Sequence, residues 1–252
     1  DAAGTMEVAA TAKEDILTAT VSGAGGGVGV AGAVGVKVVK SDTEAYIGKN
    51  TQVNQNADQS NYFAGQDVKV SAKDSVKLHG GGGAAAVGGL AGVGATAEIN
   101  IVRNTTTAYL GDSVKVNADR DVGVSAASTK DVQAAALAAS GGGSVGISGA
   151  VSLAIIGAKL DSDSQSGIGN GDTASSADST MKKDNVTGNM GNSQHVQATK
   201  TDIHSRTSAL SVSGDLNESS GSSLDKTRAY VGSNAQIVAG RDVSVTASDK
   251  TQ

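Results

Sequence analysis

The 252-residue sequence predicts an elongated all-β fold built by stacking repeats. Three observations carry that expectation. A Gly-rich segment with period-two alternation, a tyrosine motif and a short alternating cassette each recur, always in the same order. The composition agrees: glycine accounts for 35 residues, aromatics are 2%, and Pro, Trp and Cys are absent. A compact core of this size ordinarily uses several large aromatics, whereas a stack covers each layer with its neighbours.

The Gly-rich segment occurs as "GAGGGVGVAGAVGVKVV" from Gly23, "GGGGAAAVGGLAGVGATAEINIV" from Gly80 and "SGGGSVGISGAVSLAIIG" from Ser140, with Val28, Val87 and Val145 taken as equivalent points. In the first copy Val28, Val30, Gly32, Val34, Val36 and Val38 alternate with Gly29, Ala31, Ala33, Gly35 and Lys37. The second puts Val87, Gly89, Ala91, Val93, Ala95, Ala97, Ile99 and Ile101 on its larger face, and the third Val145, Ile147, Gly149, Val151, Leu153 and Ile155. Period two specifies strand, and about eleven residues at roughly 3.3 Å each give a strand of about 35 Å. The larger face is expected to point into a core. The Gly/Ala/Ser face has two uses: a neighbouring sheet packed very closely, or a flat outer wall that another surface approaches.

The tyrosine motif follows each variable link: "EAYIGKNTQV" from Glu44, "TAYLGDSVKV" from Thr107 and "RAYVGSNAQI" from Arg228. Its equivalent tyrosines, Tyr46, Tyr109 and Tyr230, are expected to form a structural ladder, with carbohydrate stacking as the sharper alternative. The cassette reads "GQDVKVSAKD" from Gly65, "DRDVGVSAAS" from Asp119 and "GRDVSVTASD" from Gly240, with a degenerate "MEVAATAKED" from Met6. Its recurring Asp67, Asp121 and Asp242 look like turn chemistry. The chain begins inside one cassette and finishes inside another, as a piece of a longer array would.

The combination of "SGGGSVGISGAVSLAII" with "NTTTAYLGDSVKVNADRDVGVSA" resembles the repeats of very large secreted bacterial adhesins, the filamentous-haemagglutinin-like and leukotoxin-like filamentous families. The resemblance covers residues 1–160 and 227–252. It implies a right-handed parallel β-helix, or related β-solenoid, exported to the bacterial cell surface, in which such repeats build the shaft. A trimeric autotransporter head is the nearest alternative fold, but its repeats are expected to be shorter.

Residues 161–226 interrupt the pattern with a polar insertion rich in Ser, Asp, Asn and Gly, a composition that buries little. Leu210, Val212 and Leu216 restore some alternation. Within it Asp161, Asp163, Gln165 and Asp172 have an EF-hand-like spacing and form a weak calcium candidate. Ser166 stands where that loop wants Gly, and its twelfth position is Asp rather than Glu, so an ordinary solvated loop is the plainer alternative. His195 and His204 lack further ligands at zinc spacing. His79 is expected at a strand end. Gly80 to Gly83 lack the Lys-Ser/Thr of a phosphate loop.

A net charge of −5 gives no basic face for nucleic acid or for an anionic membrane. No charge-free apolar stretch is long enough for a spanning helix, and no signal-peptide pattern opens the sequence. The absence of Cys excludes disulfides and thiolate metal sites, and suits a large bacterial surface protein. The function expected is a stiff, non-enzymatic shaft, without cofactor, that presents loops to host-cell or matrix glycans and proteins. The alternative is a self-assembling filament or surface-layer subunit, associating along the rod or by Gly/Ala faces. A carbohydrate-active β-helix enzyme ranks below both, because the acids are scattered at turns and the sugar-stacking aromatics are few.

Overall fold

The computed structural model describes residues 2, 4–55, 65–157 and 226–252. All regular structure in them is β: β1 (Met6–Ile47), β2 (Gln52–Val53), β3 (Val68–Leu110), β4 (Lys115–Ala118), β5 (Val122–Gly142), β6 (Val145–Ile156), β7 (Lys226–Val231), β8 (Gln236–Ala239) and β9 (Val243–Thr251). One sheet runs β1-β3-β5-β9, with β6 and β7 also pairing β3, and a second runs β2-β4-β8. Every pairing is parallel, which is compatible with a β-solenoid. Each pass of the chain, here a rung, lays like on like: Met6, Val68, Val122 and Val243 stand in one row.

β1 and β3 run for 42 and 43 residues because each goes out, turns at glycines and comes back. Outgoing and returning arms face one another. Ser41 on the return of β1 donates to Glu14 on its outward arm at 3.0 Å. A Cβ on Gly82 would lie 2.6 Å from Thr96. In the third rung the turn splits the arms into β5 and β6. At the base of the arms, cassette, tyrosine motif and the short strand enclose the main core, formed by Val68, Val70, Ala108, Leu110, Val116, Val122 and their neighbours. The corners are tight: Asn50, Ser113 and Asn234 occupy the left-handed region at φ 58°, 55° and 56°. Asn tolerates that conformation, and Ser113 takes it at the equivalent turn position.

The larger face is buried as expected at Ile99 and Ile101, but nearer the turn in the first two copies the small face lies inside as well. Ala31 and Ala33 are buried, and Ala31, Ala84 and Ala86 form a thin internal cluster with Ala24. A Cβ on Gly92 would come within 2.9 Å of the Ala86 carbonyl oxygen, and one on Gly94 within 2.8 Å of the Ala139 oxygen. At these positions the walls admit nothing larger than Gly or Ala, so close sheet packing accounts for the small face there. The Val/Ile face of the returning arms points to the other side, where Ile99 and Ile101 gather Val36, Leu153 and Ile155 into a separate cluster.

Two further expectations change. The register passes through a shift between Gly26 and Val28, so Val28 aligns with Ala91 and Val145, while Val87 sits beside Gly25 and Gly141. His79 lies within β3 rather than at a strand end, and its imidazole is 3.2 Å from Asp131. The insertion falls outside the described residues, except that Lys226 already belongs to β7.

Candidate functional site

The base of the stack carries two regular arrays of side chains. The first is aromatic. Parallel in-register pairing places Tyr46 beside Tyr109 and Tyr109 beside Tyr230. Their rings stack at 5.0 and 4.9 Å, with interplanar angles of 7° and 3°. Tyr109 therefore offers neither ring face to a ligand. The Arg228 guanidinium lies 5.0 Å from the Tyr230 ring centroid, and Tyr46 remains 49% exposed. Glycine follows two residues later because the preceding rung presses there: a Cβ on Gly111 would sit 2.6 Å from the Lys49 nitrogen. Burial chiefly, then the Glu44 charge, pushes the Tyr109 phenol above its ordinary range. Charge along this wall is graded: the row Asp42, Thr105, Lys226 runs beside the row Glu44, Thr107, Arg228.

The second array is ionic. Arg120 grips Asp67 of the preceding rung with both arms of its guanidinium, Nε to Oδ1 at 3.0 Å and Nη2 to Oδ2 at 2.7 Å. Arg241 repeats the grip on Asp121, Nε to Oδ1 at 3.1 Å, with Nη2 on Oδ2. Backbone N–H groups join in: Asp121 donates to Asp67 and Asp242 to Asp121, each at 3.3 Å. Two-pronged charge-assisted bonds fix geometry as well as add attraction. The hydrogen bond from Arg120, then that from Lys69, holds the Asp67 carboxyl far below the usual carboxylate range. Arg241 lowers Asp121 in the same way. In the first rung Thr5 stands where the Asp would be, and the residue above it in the Arg position is Gln66. Gln66 donates to the Ala2 and Gly4 carbonyl oxygens at 2.6 and 3.0 Å and accepts from Asn54 at 3.0 Å.

Two polar groups cross the interior of the arms. Asp74 accepts from Ser41 at 2.6 Å and Thr43 at 2.9 Å. Further out, Lys37 meets Glu98, whose side chain is fully buried. Burial lowers the Lys37 ammonium from its ordinary value. Among the described residues no three His, Cys, Asp or Glu side chains come together as a metal-binding group.

The calcium candidate Asp161, Asp163, Gln165 and Asp172 lies outside the described residues, as do His195 and His204. Gly80 and Gly82 are part of the inner wall facing Glu98, Asn100 and Thr96. Sequence reasoning placed Asp67, Asp121 and Asp242 at turns but missed their partners, Arg120 and Arg241. The signal was present: the residue before each Asp is Arg in "DRD" and "GRD", and Gln in "GQD", whose preceding rung has no Asp. What the arrays can do is mechanical: they lock each rung onto the one before it. Comparison with protein-family models, curated proteins and solved structures found no match.

Proposed function

We propose that this chain is a stiff segment of a large secreted bacterial surface protein. It forms a right-handed parallel β-helix that holds loops away from the cell for attachment to host glycans or proteins. One observation supports the reading above the others: each junction between rungs is fastened by a tyrosine stack, a two-pronged Arg–Asp clamp or both. Interactions that recur at each junction resist bending and sliding. Isolated solvent-exposed ion pairs would not do this.

The test compares the chain with a version in which residues 161–226 are replaced by a short link. Solution scattering on both should give a rod, and a compact globular particle would overturn the shaft. Binding to cells and to a glycan panel is then measured for both. Binding that disappears with the insertion while the rod persists places the attachment site in that segment. Absence of binding by the intact chain overturns the attachment role and leaves the shaft.

A further inference from the structure

Three side chains of complementary chemistry are shut together between the arms of the first two rungs. In-register pairing sets Lys37 of β1 beside Asn100 of β3, and Gly35 beside Glu98 in the next inward-facing row. Glu98 and Asn100 are fully buried. The Lys37 side chain is 12% exposed, with its ammonium against the Glu98 carboxylate. Two glycines hollow out the space. A Cβ on Gly35 would lie 3.0 Å from Glu98 Cδ and 3.1 Å from Lys37 Nζ, and one on Gly80 would lie 2.8 Å from both Oδ1 and Nδ2 of Asn100 and against Glu98 Oε1. The three groups therefore share one chamber. Its ends are apolar: Val39, Val76, Leu78 and Val102 close it towards the base, and Ala31, Ala84 and Ala86 towards the turn. Asn100 Nδ2 donates to the Gln133 carbonyl oxygen at 2.7 Å, which fixes the carboxamide. Its Oδ1 is buried and accepts no hydrogen bond among the described residues. A buried acceptor left open beside an amine and an acid calls for an explanation. The third rung has Ser152 and Ala154 in these rows, so among the described rungs the trio occurs only where β1 meets β3.

We infer that Lys37 and Asn100 are joined by an amide bond from Lys37 Nζ to Asn100 Cγ, formed within the folded chain with Glu98 as the proton carrier. The Lys37–Glu98 ion pair is the state from which the bond forms. Glu98 takes a proton from the ammonium, leaving a neutral amine and a carboxylic acid, the form that an apolar enclosure favours. Burial already lowers the Lys37 ammonium from its ordinary value, and desolvation is what makes a lysine nucleophilic. The amine attacks Asn100 Cγ. Glu98 gives its proton to the departing Nδ2 and takes the surplus proton from Nζ. One C–N bond forms, the Cγ–Nδ2 bond breaks, ammonia leaves, and Glu98 ends protonated. No group is oxidised or reduced. Asn100 is the acceptor rather than Glu98, because condensing the Glu98 carboxylate itself calls for a second acid. The inward rows around it, Thr18–Gly80–Ala134 and Gly35–Glu98–Ser152, carry none. Holding amine, acid and carboxamide together in the folded arms supplies the proximity that such a slow reaction needs. The bond ties the first rung to the second. In a chain without cysteine it constrains the unfolded state as a disulfide would, with no dependence on redox conditions. It is a property of the arms and does not depend on what the rod attaches to.

The intact mass of the purified full chain, measured unfolded, reads the bond directly. The parent should be lighter than its sequence by about 17 Da, the mass of one ammonia. Trypsin should then leave Lys37 uncut and release residues 14–40 joined to 78–103, and fragmentation of that branched species should place the link at Lys37 and Asn100. Glu98→Gln and Asn100→Ala should each give the full, unlinked mass, with circular dichroism reporting whether they fold. The parent's own mass decides even if neither variant does. A folded parent at its full mass overturns the inference, as does loss of ammonia without the branched species. A link that ends on Glu98 with loss of water overturns the assignment of Asn100 as acceptor. Persistence of the link in Glu98→Gln overturns the role of Glu98.

Discussion

Lys37 and Glu98 meet inside the closely packed arms, one on the return of β1 and the other on the return of β3. Only glycines make room for them. Gly35 and Gly80 both face the Glu98 carboxylate, and a Cβ on Gly35 would also come within 3.1 Å of the Lys37 nitrogen. A buried ion pair is weak evidence for stability in itself, but removing one partner strands the other charge. Lys37→Met should lower unfolding stability by about 3 kcal/mol, and the Lys37→Met/Glu98→Gln double change by distinctly less. Chemical denaturation of the two variants and the parent measures the difference; equal losses would mean that the pair is not coupled.

The glycines of the arms should separate into two classes, those facing the opposite wall and those pointing away from it. Gly92→Val forces a side chain against the Ala86 carbonyl 2.9 Å away, and is expected to cost about 1–3 kcal/mol by overpacking. Gly83→Ala meets nothing within 4 Å and should be neutral or stabilise by about 0.4–1 kcal/mol through the unfolded chain. Thermal unfolding of both variants checks the contrast.

Asp67 gives a pH dependence with a definite sign. Its carboxyl titrates lower when folded than when unfolded, because Arg120 and Lys69 favour the charged form. The clamp's contribution is therefore complete above the unfolded value of about 3.9 and declines as pH falls below it toward the lower folded value. Asp67→Asn should melt earlier than the parent at pH 7, and the gap should narrow below about pH 4. A gap that stays constant down to pH 2 would separate the melting difference from the carboxylate's charge.

Tyr109 gives the opposite case at the alkaline end. Its folded value is raised, chiefly by burial, so the folded state favours the neutral phenol. Stability from this group is full below about pH 10 and is lost as pH rises through the folded value. Tyrosinate absorbance should show a late-titrating component that Tyr109→Phe removes. Tyr109→Leu breaks both stacks and should cost about 1–3 kcal/mol, at 0.5–1.5 kcal/mol per aromatic pair. Tyr109→Phe keeps the rings and should lose little.

Much of the fold was legible because it rests on local periodicity. The cassettes alternate along the chain, and one of the two alternating sets, Val68, Val70 and Ala72, is buried. In the Gly-rich arms the same reasoning held at Ile99 and Ile101 but failed nearer the turn, at Ala31, Ala84 and Ala86. It took bulk as the sign of an inner face, whereas two walls in near contact bury the face with least bulk. It also aligned Val87 with Val28, because a register shift at Gly26 leaves no mark on composition.

The sequence by itself determined the strand character, the repeat order and the recurrence of Tyr46, Tyr109 and Tyr230, since each is a property of spacing along one chain. Only the tertiary structure decided that Arg120 reaches Asp67, that Lys37 meets Glu98 and that Ala31 and Ala84 line an interior. The physical reason is that these are contacts between rungs or between arms. They join residues tens of positions apart, and they follow from the register of parallel pairing and the distance between walls. Neither quantity is carried by the local alternation of side chains.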